Sequence, residues 1–227
     1  MASQQKQSAL VIGSSGGIGR ACAALLTKRG SDITALSRSA DGLDLTNEAS
    51  IIEAASKLSG HTFDFVLVAT GILEVSGSAP EKSFGSLTTE SMAGAFTTNA
   101  IGSALIYKNF QRLLAKDRRS VFAVLSARVG SIGDNKLGGW MSYRASKAAL
   151  NQFIRCAALE ETRKNRESIV VTLHPGTIET ELTMAYAKDR FTASPDQAAV
   201  NILDVLSRLT PNETGGFFDY SGRAIPW

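Results

Sequence analysis

The sequence contains few residues that cross-link chains or bind metals. Its 227 residues include two cysteines and two histidines. Cys22 and Cys156 lie far apart among apolar neighbours, so we expect packed thiols in a reducing compartment rather than a disulfide framework. His61 and His174 have no cysteine or carboxylate at ligand spacing, so no metal site is predicted.

Long apolar runs and a large charge imbalance are also missing. The polar residues 1–7 lead into a short apolar run at 9–12, far below the ~18 residues of a membrane span and unlike a secretory signal. We therefore expect a cytoplasmic protein with no membrane partner. The 24 basic and 21 acidic residues give a formal net charge of +3. The basic residues are dispersed, and an acid interrupts the cluster at 116–119, so nucleic-acid binding is not expected.

The chain does contain enough apolar residues for one large core, with 44% hydrophobic and 20% charged residues. We expect a single domain over residues 1–227. Apolar runs of strand length alternate with segments of helical period. Because parallel strands need crossover helices that cover both sheet faces, this order predicts an α/β, doubly wound (Rossmann) fold with a mostly parallel sheet. The predicted strands are 9–13, 33–37, 63–69, 121–126 and 169–173, and the predicted helices are 17–29, 51–58, 87–115, 143–162 and 196–208.

A glycine-rich turn follows the first predicted strand, with the spacing G-x-x-x-G-x-G. Its first glycine lets the chain turn sharply, and the later ones remove Cβ atoms where a pyrophosphate approaches the backbone. The N–H groups and the positive end of the following helix then face the phosphates. An ordinary tight turn has a similar composition, but the position after the opening strand favours dinucleotide binding. The predicted binding residues of this turn are Gly13, Ser14, Ser15, Gly17, Ile18 and Gly19.

The end of the second predicted strand indicates which dinucleotide is bound. An acid there would accept hydrogen bonds from a ribose 2′-OH, whereas a basic residue would pair with a 2′-phosphate. The strand ends with Ser37 and Arg38, and a planar guanidinium suits a phosphate. NADP is therefore expected, with NAD as the second choice, unless Arg38 is only a solvated charge. Asp44, next to Leu45, either meets the adenine amino group or starts the next helix.

A tyrosine and a lysine lie four residues apart in a segment of helical pattern. Tyr143 and Lys147 therefore project from one face of the predicted helix. A neighbouring ammonium, together with the positive nicotinamide of an oxidised cofactor, lowers the pKa of a phenol from its usual value near ~10. Such a phenol gives a proton to a carbonyl oxygen or removes one from an alcohol. Taken alone, the pair is equally explained by surface packing.

In combination, the motifs resemble the short-chain dehydrogenase/reductase family over nearly the whole chain. The residues that carry the resemblance, in the family's order, are Gly13, Gly17, Gly19, Asp44, Asn99, Tyr143, Lys147 and the segment 175–180. Residues 126–151 and 217–227 look most like the branch named after the C-factor signalling protein. The resemblance implies that Tyr143 is the acid/base, that Lys147 binds the nicotinamide ribose and lowers the tyrosine pKa, and that Asn99 supports a water in a proton relay. It also implies a homodimer or homotetramer. Other implied cofactor contacts are Thr70, Gly71, Pro175, Gly176, Thr177, Ile178 and Thr180.

Two positions depart from the family pattern. The third strand ends in Val68-Ala69-Thr70-Gly71 where the family usually has Asn-Asn-Ala-Gly, so amide bonds that tie the sheet are missing. The position expected to hold the substrate-binding serine is Ala127. Ser126 points the other way in a pleated strand, so Ser131 on the following loop is the preferred substitute. If neither serine replaces it, turnover is slow or absent.

The leading hypothesis is an NADP-dependent oxidoreductase that transfers a hydride between nicotinamide and a small carbonyl or alcohol substrate. Its predicted catalytic residues are Tyr143, Lys147, Asn99 and Ser131. The alternative is a dinucleotide-binding signalling or regulatory protein of the same fold with little turnover, motivated by Ala127 and the C-factor resemblance. A sugar epimerase normally shows G-x-x-G-x-x-G, and an enoyl reductase usually spaces its tyrosine and lysine more widely.

The last third of the chain gives weaker indications. The short segment between Thr180 and Pro195, where the family builds its substrate lid, favours an open or small apolar pocket. Phe217, Phe218 and Trp227 are expected either at a subunit contact or in the core.

Overall fold

The apolar runs of the sequence form a six-stranded sheet in a computed structural model of the protein, which describes residues 6–227. Residues 1–5, which begin the polar N-terminal stretch, lie outside the described residues. All strand pairs are parallel, in the order β2-β1-β3-β4-β5-β6. The strands are β1 Ser8–Ile12, β2 Asp32–Leu36, β3 Phe65–Val68, β4 Ser120–Leu125, β5 Ser168–His174 and β6 Phe217–Asp219.

Helices connect successive strands and cover both faces of this sheet. The α-helices are α1 Gly17–Lys28, α2 Arg38–Asp41, α3 Glu48–Lys57, α4 Thr89–Ala95, α5 Ser103–Phe110, α6 Met141–Glu161, α7 Glu181–Ala187 and α8 Pro195–Arg208. A π-helical segment, Phe96–Gly102, joins α4 to α5. Short 3-10 turns lie at Phe84–Ser86, Gln111–Leu113, Arg128–Gly130 and Pro211–Glu213.

The core lies in two layers, one on each side of the sheet. In β4, Phe122 and Val124 face the layer that contains side chains of α3, α5 and α6, while Ala123 and Leu125 face that of α1 and α8. Successive strand side chains point to opposite faces, so an uninterrupted apolar strand feeds both layers. Burying each Val, Leu, Ile or Phe contributes roughly 1.5–3 kcal/mol. The prediction of a doubly wound, parallel α/β fold is confirmed.

The predicted helix over 87–115 is interrupted by the π-helical segment. A Cβ atom at Gly102, the last residue of that segment, would lie 2.7 Å from the Cβ atom of Leu45. The glycine therefore permits close packing between the segment and the loop that precedes α3. A Cβ atom at Gly94 would likewise overlap Val75.

Two elements near the C-terminal end differ from what the sequence suggested. Helix α7 and strand β6 are not among the predicted elements. Phe217 and Phe218 lie in β6 and are buried, so they belong to the core, and Trp227 stacks on Phe217 with 5.8 Å between ring centroids.

The two cysteines are free and differ in environment. Cys22 is buried in α1, and burial raises its pKa to about 12. Cys156 is exposed on α6, so the prediction that it is a packed thiol was wrong, because its helix turns that position away from the sheet. Residues 6–227 contain no group of three or more His, Cys, Asp or Glu side chains arranged to hold a metal. None of the helices in this part of the chain is long and apolar enough to cross a membrane.

Candidate active site

The glycine turn after β1 is tight because its glycines have no side chains. Gly13 has a φ of +89°, and a Cβ atom there would lie 2.8 Å from Cγ2 of Thr70. The N–H groups of Gly13 and Ser14 donate to the Leu36 carbonyl at 2.8 and 3.1 Å, which folds the turn across the end of β2. A Cβ atom at Gly19 would overlap the Gly13 carbonyl oxygen. Larger residues therefore do not fit this turn without moving the backbone.

Helix α1 presents an uncapped N-terminus at this turn. Its N-cap, Gly16, offers no side-chain oxygen, and the first turn of α1 contains no acidic residue. The first N–H groups of any helix, here those of Gly17 and Ile18, lack intrahelical acceptors. A Cβ atom at Gly17 would lie 2.8 Å from Cγ2 of Thr180, so Thr180 sits directly against the turn. Ser15 is exposed at its outer edge. This arrangement fits a pyrophosphate, which the free N–H groups and the helix dipole attract.

At the end of β2, Ser37 and Arg38 have different roles in the structure. Ser37 is buried and caps α2, because its Oγ accepts from the Ala40 N–H at 3.1 Å. The Ser37 N–H donates to Oδ2 of Asp41 at 2.7 Å. Arg38 is the exposed first residue of α2 and forms no ion pair within residues 6–227. The sequence analysis missed α2 and with it the carboxylate of Asp41.

Asp44 stabilises a turn rather than starting a helix. Its Oδ1 accepts from the N–H and the hydroxyl of Thr46 at 2.9 and 2.8 Å. These hydrogen bonds lower the pKa of Asp44. The N-cap of α3 is Asn47, whose side chain accepts from the Ala49 N–H. The alternative that Asp44 starts the next helix was therefore wrong. Leu45 is buried beside Gly102.

Tyr143 and Lys147 lie one turn apart near the start of α6. The Nζ atom of Lys147 is 5.9 Å from the centroid of the Tyr143 ring and donates to the Leu125 carbonyl at 3.1 Å. Lys147 is only 3% exposed, whereas Tyr143 is partly exposed.

Burial dominates the ionisation of both side chains. It raises the pKa of Tyr143 to about 12 and lowers that of Lys147 to about 8. Removal from water disfavours the charged form of each group, which is the phenolate of Tyr143 and the ammonium of Lys147. In the protein chain by itself, this effect outweighs the expected lowering of the tyrosine pKa by the ammonium. At neutral pH the phenol is protonated, and the amine remains largely protonated.

Asn99 lies at the centre of the π-helical segment and is completely buried. Its Oδ1 accepts from the Ile72 N–H at 2.8 Å, and its Nδ2 donates to the Ile72 carbonyl at 3.0 Å. The second Nδ2 hydrogen reaches Oγ of Ser146 at 3.1 Å, on the same helix as Tyr143. π-Helical turns are frequent at functional sites, because they reorient side chains inside a helix.

Gly71, in the loop after β3, lies next to the side chains of Asn99 and Lys147. A Cβ atom there would lie 3.2 Å from Oδ1 of Asn99 and 3.3 Å from Nζ of Lys147. The adjacent Thr70 follows Val68 and Ala69, which stand where the family has its two amide side chains, and the buried Oγ1 of Thr70 has no partner within residues 6–227. The tie between this loop and the helices is supplied instead by the amide of Asn99.

The turn after β5 contains the other predicted nicotinamide contacts. Gly176 has a φ of +95°, and a Cβ atom there would lie 3.0 Å from Cβ of Thr192. Thr177 accepts from the Thr192 N–H at 2.7 Å and donates its own N–H to the Thr192 hydroxyl at 3.1 Å. Pro175 and Ile178 are buried. Because carboxyl ends of parallel strands share one sheet edge, this turn lies at the same edge as the glycine turn.

Neither of the two candidate substrate-binding serines has a free hydroxyl proton. Ser126 donates to Oδ1 of Asn151 at 2.7 Å. The buried Ser131 donates to the Pro226 carbonyl and accepts from the Asp134 N–H at 3.1 Å. A hydroxyl has a single proton to donate. The role predicted for Ser131 therefore requires its bond to Pro226 to break.

The loop that carries Ser131 is fastened to residues near the end of the chain. Arg128 pairs with Asp134 at 2.9 Å and with Asp219 at 2.8 Å. The Gly133 N–H donates to the Trp227 carbonyl at 2.8 Å. Loop 127–140 is thus held against β6 and the residues that follow it.

An aromatic pair beside Tyr143, formed by Trp140 and Tyr186, was not predicted from the sequence. Trp140, in the left-handed conformation with a φ of +53°, immediately precedes α6. Its ring makes edge contacts with Tyr143 at 6.3 Å and with Tyr186 of α7 at 5.7 Å, measured between centroids. The Tyr186 hydroxyl donates to Glu74 at 2.5 Å. The two glycines before Trp140 were the only local signal of the sharp turn that places it here.

Comparison with known proteins gives extended matches. The model of the family described as enoyl-(acyl carrier protein) reductase matches residues 12–215. The 1-hydroxy-2-glutathionyl-2-methyl-3-butene dehydrogenase of Rhodococcus sp. (strain AD45) is 29% identical over 232 residues, which cover 96% of this chain and 98% of that protein. C-signal of Myxococcus xanthus is 33% identical over 136 residues, covering 60% of this chain and 78% of that protein.

Solved structures agree with these matches. A short-chain dehydrogenase/reductase structure from Burkholderia multivorans with bound NADP superimposes with a TM-score of 0.80 at 27% identity, covering 98% of this chain and all of the other. The NADPH-bound carbonyl reductase from chicken fatty liver has the same fold, with a TM-score of 0.82 at 23% identity over 100% of this chain and 96% of that one.

Proposed function

The chain belongs to the short-chain dehydrogenase/reductase family, in its C-factor-like branch, and on this basis we propose that it is an NADP-dependent oxidoreductase acting on a small carbonyl or alcohol. The observation that carries the proposal is the meeting of Tyr143, Lys147 and Asn99 around Gly71, at the sheet edge that also bears the glycine turn. A proton donor and a dinucleotide cradle at one edge are the two parts that hydride transfer needs.

The cradle supports a dinucleotide on physical grounds. We propose that the α1 N-terminus and the turn around Gly13, Gly17 and Gly19 hold the pyrophosphate, with Thr180 beside it. The preference for NADP over NAD is supported by the exposed guanidinium of Arg38, which forms no ion pair with any residue in 6–227 and suits a 2′-phosphate. The similar Burkholderia multivorans protein, which was crystallised with NADP, points the same way.

The chemistry divides between the cofactor and the protein. When bound, the nicotinamide supplies or accepts the hydride. The hydroxyl of Tyr143 gives a proton to the carbonyl oxygen during reduction and takes one from the alcohol during oxidation. Because burial raises its pKa to about 12, this phenol is protonated at neutral pH, which is the form required for reduction. The ammonium of Lys147 beside it offsets charge that develops on the phenolate.

Asn99 supports proton transfer mainly by holding the loop beside Gly71. Both hydrogens of its Nδ2 are used, by the Ile72 carbonyl and by Ser146. A relay water would therefore be held by the remaining lone pair of its Oδ1 or by the Ile72 carbonyl.

The spacing of Tyr143 and Lys147 favours carbonyl or alcohol chemistry over enoyl reduction, although the matching family model carries the description of enoyl reductases. We also propose a homodimer or homotetramer. Phe153 and Leu159 are large apolar side chains exposed on α6 and would be covered by a subunit contact. Sedimentation analysis of the purified protein tests this, and the cytoplasmic location stays a prediction.

The proposed function is tested with Tyr143→Phe, assayed by NADPH oxidation over a panel of aldehydes and ketones. General acid catalysis is worth about 10²–10⁴-fold, so turnover should fall by that order while NADPH binding is unchanged. Tyr220→Phe is the matched control and should retain wild-type turnover. Equal turnover in wild type and Tyr143→Phe would overturn the assignment.

The second candidate is a dinucleotide-binding signalling or regulatory protein with little turnover. It is favoured by Ala127 at the expected serine position and by the engaged hydroxyls of Ser126 and Ser131. Tight NADPH binding without turnover over the whole panel, unchanged by Tyr143→Phe, would support this candidate over the enzyme.

A further inference from the structure

Loop 71–85 contains a buried carboxylate that has no part in the mechanism above. Glu81 is only 5% exposed. A buried carboxylate is costly unless it is hydrogen-bonded. Oε2 of Glu81 accepts from the Ser142 N–H at 3.2 Å, and Oε1 accepts from the Ser142 hydroxyl. The Glu81 carbonyl accepts from the Trp140 N–H at 2.5 Å.

These bonds converge on the first residues of α6. The N-cap of α6, Trp140, provides no side-chain cap, and the first turn contains no acidic residue. An N-cap side chain usually accepts a hydrogen bond from an N–H in the first turn of its helix. In α6 this acceptor is the carboxylate of Glu81, which lies 61 residues before Ser142 in the chain. Ser91 of α4 joins the same group, with its Oγ 3.3 Å from Oγ of Ser142. Loop 71–85, α4 and α6 are therefore joined at one point.

That point lies beside the proposed proton donor. Ser142 is bonded to the Glu81 carboxylate and is directly followed by Tyr143. Trp140, bonded to the Glu81 backbone, contacts the Tyr143 ring. A shift of either residue would move the phenol, and misplacement by about 1 Å costs an enzyme on the order of 10²-fold in rate.

We propose that Glu81 is a positioning residue that fixes the start of α6 and thereby the place of the Tyr143 hydroxyl. This inference rests on the proposed oxidoreductase function for its effect on turnover. Its effect on the start of α6 is independent of any activity.

The charge of Glu81 gives the proposal a second consequence. Burial acts to raise the pKa of Glu81, but hydrogen bonds from Ser142 and Ser91 outweigh it, so the carboxyl is ionised at neutral pH. A negative charge at a helix N-terminus offsets the positive end of the dipole. Removing it should favour the phenolate of Tyr143.

Other polar groups around this point are neutral or engaged elsewhere. The groups that face Glu81 from α4 and α6 are the hydroxyls of Ser91 and Ser142. Arg144 donates to the carbonyls of Gly138 and Gly139. The cation beside Tyr143 is Lys147, from its own helix.

The test compares Glu81→Ala and Glu81→Gln with Glu90→Gln, an exposed acid on α4. We expect Glu81→Ala to lower kcat by about 10-fold or more with unchanged NADPH binding. Glu81→Gln keeps an acceptor and should recover most of kcat, while moving the pH profile of alcohol oxidation to lower pH. Glu90→Gln should match the wild type in both.

Hydrogen exchange over residues 140–147 provides the readout that needs no turnover. Exchange should be fastest in Glu81→Ala, and the rate in Glu81→Gln should lie between those of Glu81→Ala and Glu90→Gln. If the wild type proves inactive, the proposed function fails, and the exchange comparison still decides the role of Glu81. Unchanged exchange in Glu81→Ala, or unchanged kcat in Glu81→Ala together with an unchanged pH profile in Glu81→Gln in an active enzyme, would overturn the inference.

Discussion

Asn99 binds both the N–H and the C=O of Ile72, at 2.8 and 3.0 Å. A side-chain amide thus pairs with the backbone as a neighbouring strand would. The π-helical segment is thereby joined to the loop after β3, next to Gly71 and Lys147. The bond pair explains how this chain keeps that loop in place although Val68 and Ala69 replace the two amide residues usual in the family.

Asn99→Ala is expected to destabilise the protein substantially, because it leaves two partly buried backbone groups of Ile72, the N–H and the C=O, without their partners. Each unsatisfied group costs about 1–3 kcal/mol, and because Ile72 is only partly buried, the free energy of unfolding should fall by roughly 2–4 kcal/mol, in the lower part of the combined range. Urea denaturation measures this. Asn109→Ala is the matched control, since Asn109 bonds only its own helix at Leu105. Similar losses in the two variants would argue against a special role for the Asn99 amide.

Arg38→Ala is expected to weaken NADPH binding selectively. A hydrogen bond to a charged group is worth about 1.5–3 kcal/mol, so NADPH affinity should fall by roughly 10–100-fold while NADH affinity is unchanged. Fluorescence titration with both nucleotides measures this, and Arg163→Ala, at an exposed arginine, is the control. An equal loss for both nucleotides would contradict the assignment of Arg38 to the 2′-phosphate.

Gly19→Ala is expected to distort the glycine turn, whereas Gly16→Ala is tolerated. A Cβ atom at Gly19 would overlap the Gly13 carbonyl, but one at Gly16 would lie 3.5 Å from the same oxygen, at an ordinary φ of −74°. Overpacking of this kind costs about 1–3 kcal/mol. Thermal unfolding should show a lower Tm for Gly19→Ala only. A turn that accepts both alanines equally would mean that its backbone moves freely.

Lys147→Met is expected to stabilise the protein at neutral pH. Burial lowers the pKa of Lys147 from 10.5 to about 8, so the folded state binds its proton more weakly than the unfolded state does. At about 1.4 kcal/mol per pKa unit, the wild type bears a cost of order 3 kcal/mol below pH ~8, which disappears as the pH rises towards the unfolded value.

The gain in Lys147→Met should therefore be about 1–3 kcal/mol at pH 7, after loss of the bond to Leu125, and smaller at pH 9.5. Guanidinium denaturation at the two pH values measures it. Lys28→Met, at an exposed position, should show no such pH dependence. A variant less stable than the wild type at both pH values would show that the ammonium is well accommodated.

The sequence predicted those parts of the fold that local patterns encode. The strands ending near Ile12 and Leu125 are uninterrupted apolar runs, and the glycine turn follows the first of them directly. Tyr143 and Lys147 were predicted to share one helix face because their spacing is about one helical turn, and both lie on α6. Strand β6 was not predicted, because its three residues form a strand only by pairing with β5.

The remaining parts of the candidate site depend on contacts between distant residues. Glu81 and Ser142 are 61 positions apart, and Ser131 and Pro226 are 95 apart, with no local signal for either pair. The hydroxyl of Ser131 was suggested as a substrate ligand because its loop follows β4, but its partner carbonyl comes from the far end of the chain. The π-helical segment, which ends at Gly102 packed against Leu45, likewise was not indicated by the helical pattern of the sequence.

Redesign of residues 37–45 to change the coenzyme preference is limited by the packing of Leu45 at the end of that segment. Leu45 abuts Gly102, the residue that ends the segment bearing Asn99, with no room for even a methyl group between them. A loop graft that displaces Leu45 would consequently disturb the segment proposed to support proton transfer as well as the region proposed to select the nucleotide. Designs that alter position 38 while preserving the backbone from 43 onwards avoid this coupling.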